Sequence, residues 1–438
     1  MLVLAAVLVV SPAEAGRGKK APSAQEMGEV YDAGAAAHQD GRFEEANSKF
    51  QIVCDSGFQE GCYALASNLR HGRGIARDPA RAARLYDGAC ANGGPGGVAD
   101  ACNNLGLLYM DGVGVPKDYA QAMEFYRLAC DGKAYNGCNN IGLLYREGWG
   151  VPADQALAVK LFGLACDEGV ALGCHNLGEQ FFEGQGVTKT VPRALELFTL
   201  ACGKDVPESC YELGLASAEG TGVQQDFAKA LDYYDRSCKG GIIAGCNNLG
   251  VLYRDGKGVT VDFVRAAALF EQSCEGGLAL SCYNLGGAYR EGKGRDADIV
   301  RAMQLYQQGC EGKISDACFN MGTIYRGAHG YPKDLAKSYS SYLQACNQGL
   351  SLACYNVGIY YRDGIGVTRD FPMAASFFER ACNASEASGC NNLGVMRAKG
   401  QGGAANVAEA RRWFAKALAI DPKHAEARRN LAGLKATR

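Results

Sequence analysis

Twenty cysteines and a row of arginines are the residues whose type and spacing could do chemistry in this chain of 438 residues. Closely spaced thiols can hold a metal, cycle as a redox pair or close as disulfides, and their spacing separates the three. The cysteines fall at Cys54/Cys62, Cys90/Cys102, Cys130/Cys138, Cys166/Cys174, Cys202/Cys210, Cys238/Cys246, Cys274/Cys282, Cys310/Cys318, Cys346/Cys354 and Cys382/Cys390. No Cys-x-x-Cys occurs, which removes the usual redox pair, the zinc ribbon and c-type haem attachment. An even, dense set of this kind implies structural bridges and an oxidising compartment. The five histidines are scattered without metal-ligand spacing, so neither a metal nor a cofactor is expected.

The arginines appear once positions are counted from the second cysteine of each pair. The eighth residue on is Arg70, Arg146, Arg254, Arg290, Arg326 and Arg362 in six of the ten cases, the last four in consecutive repeats. Positions one, five and eight share a helical side, and position one supplies Asn247, Tyr283, Phe319 and Tyr355 beside those four arginines. Guanidinium forks bind carboxylates and aromatic rings form pockets, so this side is a candidate groove for an extended peptide or an acidic ligand. The alternative is that each arginine pairs with the acid that follows it, Asp255, Glu291 or Asp363, as a solvated turn motif. Position two is an asparagine in eight repeats, Asn284 among them, where hydrogen bonding to a neighbouring turn is expected. His175 also lies on the groove side and is expected as a surface residue.

Catalytic motifs are missing. The chain has no Ser-x-x-Lys, Ser-Asp-Asn or Lys-Thr-Gly, the serine β-lactamase set, and no Gly-x-Ser-x-Gly. Its Gly-x-Gly turns follow helical segments, without the strand that a phosphate-binding loop requires.

The elements that must position these residues repeat with them. The first cysteines of successive pairs are 36 residues apart except from Cys90 to Cys130, where the step is 40 and residues 93–97 hold extra glycines. Such a period marks an array in which each unit buries its apolar face only against its neighbours. After each second cysteine comes an amphipathic segment such as Cys102-Asn103-Asn104-Leu105-Gly106-Leu107-Leu108-Tyr109, the first helix. A glycine recurs inside it, at 106, 142, 178 and onward to 394, and close helix contact is the expected reason for its cost. A turn such as Gly256-Lys257-Gly258-Val259 ends the helix, and an N-cap residue such as Asp262 starts a second one. Four residues past the cap stands Ala or Ser, and eight past it always an aromatic, from Tyr86 to Phe414, both expected in the core.

Composition agrees with a folded chain of ordinary charge. Hydrophobic residues make up 47%, and 45 Lys plus Arg nearly balance 47 Asp plus Glu, which excludes the broad basic field of a nucleic-acid binder. Three ordinary domains would suit the length, but the period replaces them with one array. Residues 2–10 form an apolar run, and Ala13-Glu14-Ala15 makes an A-x-A cleavage site before Gly16, so residues 1–15 are read as a signal peptide and 16–25 as a polar leader. Only Met1 precedes the run, so the usual basic segment is missing. Nine apolar residues cannot span a bilayer, and no later segment is apolar for long enough.

The recurring Asn-Leu-Gly-x-x-Tyr, Gly-x-Gly-Val, Asp and Ala-x-x-x-Tyr/Phe, with Cys-x7-Cys between units, resembles the Sel-one-like repeat, a relative of the tetratricopeptide repeat. Its cysteine-rich Hcp branch is the nearest in pattern. The resemblance covers residues 55–420 and implies an all-α, right-handed, disulfide-stapled α-solenoid. Residues 28–54 and 410–433 drift toward tetratricopeptide sequence, and a hairpin over 26–54 and a helix over 421–438 are expected to cap the ends. The same resemblance implies bridges at the x7 spacing, and parity agrees. Pairing within a hairpin, Cys62 to Cys90 and so on, strands Cys54 and Cys390, whereas short-range pairing strands none.

What is expected is therefore a secreted or periplasmic monomeric scaffold that binds a peptide, a protein or a peptidoglycan fragment in its concave groove. Two alternatives accompany it: β-lactam binding or weak β-lactamase activity, which the Hcp resemblance implies, and an assembly factor for an envelope or redox complex.

Overall fold

In the computed structural model, residues 23–91 and 98–436 are described. The signal-peptide reading, most of the leader and the glycine-rich insertion fall outside them. Among the described residues the chain is all-helical, with 23 α-helices, one 3₁₀ turn and no strand. None of these helices is long and apolar enough to cross a membrane. The chain divides into two compact units, Met1–Ala201 and Cys202–Arg438, each a run of helical hairpins in which successive helices pack on one another.

Local chemistry explains each hairpin. The first helix typically spans 13 residues, as in Ile243–Asp255 or Ala279–Glu291, and ends on a glycine at positive φ, Gly256 (66°) or Gly292 (66°). The second glycine of the turn sits against the preceding repeat: a Cβ on Gly258 would come within 2.5 Å of the Phe227 carbonyl carbon. The next helix starts on its cap, with the Asp262 carboxylate accepting from the Arg265 N–H at 2.9 Å. Asp78, Asp118, Asp154, Asp226, Asp298, Asp334, Asp370 and Asn406 act alike. Thr190 departs, its hydroxyl donating to the Thr188 carbonyl at 3.0 Å.

The hairpin locks where glycine meets aromatic. A Cβ on Gly142 would lie 2.6 Å from the Phe162 ring, and Gly178 against Phe198, Gly214 against Tyr234 and Gly394 against Phe414 repeat that approach. The helical glycine thus removes the one side chain that would hold the two helices apart. All ten second-helix aromatics are buried.

Ten disulfides join the end of every second helix except the last, Val407–Ile420, to the start of the next first helix. They are Cys54–Cys62, Cys90–Cys102, Cys130–Cys138, Cys166–Cys174, Cys202–Cys210, Cys238–Cys246, Cys274–Cys282, Cys310–Cys318, Cys346–Cys354 and Cys382–Cys390. Their Cα–Cα distances, 4.5 to 4.9 Å, suit a disulfide without backbone displacement. In the loop-entropy description a nine-residue closure contributes roughly 2–3 kcal/mol.

The second cysteines stand at the starts of the first helices, as expected: these helices begin at Asn136 before Cys138, Ala171 before Cys174, Pro207 before Cys210, Ile243 before Cys246, Ser315 before Cys318 and Ser351 before Cys354. Each of these cysteines lies in the first helical turn. The reason is the shortness of the link: the second helix runs on past its own cysteine, a tight turn follows, and the next helix must already have started for the sulfurs to meet. All six are buried, Cys138 and Cys318 completely and Cys174, Cys210, Cys246 and Cys354 at no more than 4% exposure. They are inner staples, closed to any ligand on the surface, and no cysteine among the described residues is free.

At the chain ends, the helix Ala24–Gln39 begins on a Ser23–Glu26 capping box, inside the stretch read as leader, and forms a hairpin with Phe43–Asp55. The last helix, Ala425–Ala436, packs on Val407–Ile420 and Ala387–Lys399.

Candidate functional site

The first-helix side that carries the arginines is built on an internal asparagine ladder. The amide of Asn140 donates to Asn103 Oδ1 at 2.8 Å, Asn176 to Asn139 at 2.7 Å and Asn284 to Asn247 at 3.0 Å. The last helix joins the scheme, with Asn430 donating to Asn391 at 2.9 Å. Position two of one repeat therefore holds position one of the repeat before it, where a bond to a turn had been expected. Asn247 is consequently a buried strut, 3% exposed and also accepting from Ser281 Oγ at 2.9 Å, and is not part of an open surface. A spacing of 37 residues between paired asparagines carried this signal.

Where position one is aromatic, the ring leans on the buried aromatic of its own hairpin. Tyr283 lies 5.9 Å from Tyr306, Phe319 5.2 Å from Tyr342 and Tyr355 5.9 Å from Phe378. These three residues are half-buried.

The arginines divide into three kinds. Arg254, Arg290 and Arg362 stand in the last turn of their helices and pair with the next residue: Arg254 Nε with Asp255 at 2.7 Å, Arg362 Nε with Asp363 at 2.7 Å, and Arg290 Nη2 with Glu291. These bonds hold the carboxyls of Asp255, Glu291 and Asp363 below the usual carboxylate range. Arg254 also reaches across the repeat, Nη1 to Asn284 Oδ1 at 3.2 Å. Arg326 differs because its turn is Gly-Ala-His-Gly: the helix stops at Tyr325, a 3₁₀ turn follows, and Arg326 is the exposed C-cap residue. Among the described residues it has no ion-pair partner. Arg146 lies in the other unit, bonded to Glu147 (2.7 Å) and Glu179 (2.9 Å) in a cleft that Glu183 also lines. Carboxylates outnumber it there, so Arg146 is not set up to receive an anion. The four consecutive arginines thus form three acid-braced guanidiniums and one exposed one.

His175, expected at the surface, is 9% exposed, with its ring 5.8 Å from Phe198 and Nε2 3.5 Å from Glu179 Oε1. Its hydrogen bond, then the Arg146 charge, lowers the Glu179 carboxyl.

A family model described as the Sel1 repeat matches ten successive stretches, from residues 59–94 to 387–419. Among solved structures, c5321, a protective antigen present in uropathogenic Escherichia coli strains and displaying an SLR fold, is 26% identical over 90% of this chain and 91% of that one, with a TM-score of 0.62. A Sel1 repeat protein from Oxalobacter formigenes is 23% identical over 72% of this chain and 90% of that one, with a TM-score of 0.55. No curated protein matched the chain.

Proposed function

Because the chain belongs to the Sel1 repeat family, a helical-repeat fold suited to protein interaction, we propose that it is an extracytoplasmic scaffold that holds an extended peptide segment of an envelope protein. The observation that carries this reading is the row of Arg254, Arg290, Arg326 and Arg362, one per repeat, with the half-buried rings of Tyr283, Phe319 and Tyr355 between them. Guanidiniums already oriented by an acid lose little freedom on binding, and half-buried rings offer apolar contact at regular intervals. The hairpin over 26–54 and the helix beyond residue 421 close the ends of the array in this reading.

Ten disulfides support an oxidising location, periplasmic or secreted, reached through a signal peptide at residues 1–15. The Cys-x7-Cys spacing supports the cysteine-rich Hcp branch within the family.

The test is crosslinking and capture from the native envelope with wild type and the Arg290→Ala, Arg326→Ala double variant. Loss of the captured partner with the circular dichroism unchanged supports the groove, whereas unchanged capture removes it. Turnover of a chromogenic β-lactam that a point variant of retained fold abolishes would overturn the scaffold reading.

A further inference from the structure

The arginine at position eight of the first helix has a recurring companion. Behind Arg146, Arg254, Arg290 and Arg362 stands an acid, Glu147, Asp255, Glu291 and Asp363, and each arginine is bonded to it. Behind Arg70 stands His71 instead. Among the described residues the Arg70 guanidinium has no ion pair and no hydrogen bond; only its carbonyl is engaged, accepting from Arg77 Nε at 3.1 Å.

The turn that follows adds charge of one sign. Residues 70–77 read Arg-His-Gly-Arg-Gly-Ile-Ala-Arg, three arginines and a histidine with no acid among them. His71, Arg73 and Arg77 are exposed, Arg70 is half-buried, and none of the four forms an ion pair among the described residues. Asp78 comes next, but its carboxylate is used as a cap, accepting from the Arg81 N–H at 2.8 Å. On the neighbouring helix Phe43–Asp55, Glu45 is held by Arg42 and Lys49, and Glu44 pairs with none of the four. Burial, then the charges of Arg70, Arg73 and Arg77, hold the His71 imidazole below its ordinary range, so the four groups share one field.

The extent of that field defines the ligand. Burial raises the Tyr86 and Tyr126 phenols, and the Arg70 charge opposes the rise in both, so this guanidinium faces the aromatic rings of its own hairpin and of the next. Asp111, at position nine of the next repeat, adds to the Tyr126 rise and ends the positive field. A long polyanion would run onto that carboxylate. No large apolar side chain is exposed between residues 59 and 91 among the described residues, so nothing there would enter a lipid surface. What fits is a short acidic segment, because a guanidinium fork matches a carboxylate in two parallel bonds.

We propose that the turn over residues 70–77 docks a short acidic segment of a partner protein. One carboxylate takes, at Arg70, the place that the acid at position nine fills behind the other arginines, while Arg73 and Arg77 meet its neighbours. The site lies in the unit Met1–Ala201 and is separate from the arginine row of the other unit.

Calorimetric titration of the protein with acetyl-Gly-Glu-Asp-Glu-Gly-amide, its Gln-Asn-Gln counterpart, tripolyphosphate and phosphatidylglycerol vesicles tests it. The acidic peptide is expected to bind roughly tenfold more tightly than the neutral one. His71→Glu, which supplies the acid that other repeats carry, should abolish that preference at an undiminished melting temperature, whereas His71→Gln and Arg326→Ala should keep it. Arg70→Gln should weaken the acidic peptide severalfold. Equal affinity for the two peptides, no binding of either, or a His71→Glu protein that binds as wild type does would overturn the site. Tripolyphosphate or vesicles binding more tightly than the acidic peptide would overturn its polypeptide source. Envelope capture indifferent to Arg290→Ala and Arg326→Ala would remove the groove reading and leave this site standing.

Discussion

Ser338 Oγ is buried, donates to the Gly322 carbonyl at 2.6 Å and lies 2.6 Å from the Tyr360 hydroxyl. Ser338→Ala strips both partners and should cost about 1–3 kcal/mol by chemical denaturation. The acid-braced arginines set a pH response. Asp255, Glu291 and Asp363 have folded-state values below their ordinary 3.8, 4.5 and 3.8, so their contribution is present above about pH 4.5 and is lost as pH falls through the depressed values. Melting temperature should therefore be flat from pH 7 to 5 and fall below pH 4. Because these groups are largely solvent-screened, Asp255→Asn should remove only a small part of that fall.

At the scale of the helix, packing overrides propensity. Gly142 sits inside the helix Asn136–Glu147, where alanine would be favoured by about 1 kcal/mol in isolation. Its Cβ would meet the Phe162 ring at 2.6 Å, so Gly142→Ala should destabilise by about 1–3 kcal/mol, measured by urea unfolding. Gly287→Ala is the control. The same change in the same kind of helix meets only the Tyr306 hydroxyl at 3.9 Å and should stabilise. Opposite signs for two glycine-to-alanine changes would separate close contact from intrinsic preference; equal signs would refute the contact argument.

For the molecule as a whole, stability is a sum over neighbours, and the bridges sit at each junction between repeats. Replacing both Cys274 and Cys282 by serine should cost roughly 2–3 kcal/mol, by the loop-entropy estimate. Reducing all ten bridges should lower the melting temperature far more and broaden the transition as neighbouring repeats uncouple. A sharp transition unmoved by reductant would show that hydrophobic packing alone holds the array together.

The fold was legible in the sequence because its causes are local and recur. Caps such as Asp262, turn glycines such as Gly256, the helical glycine and its aromatic partner all act within one hairpin and return with the 36-residue period. The bridges were legible for the same reason, since their partners, such as Cys238 and Cys246, are close in the chain. The site was legible only in outline. Arg254, Arg290 and Arg362 and their acids could be read from spacing, but Arg326 stands apart because a changed turn ends its helix early, which the pattern hides. Asn247 was misplaced because its burial comes from Ser281 and Asn284, side chains of the following repeat. Sequence by itself thus determined what repeats and what closes each hairpin, because those interactions are short in the chain. Tertiary structure alone decided which polar atoms are spent between repeats, because that depends on side chains that meet only after the hairpins stack.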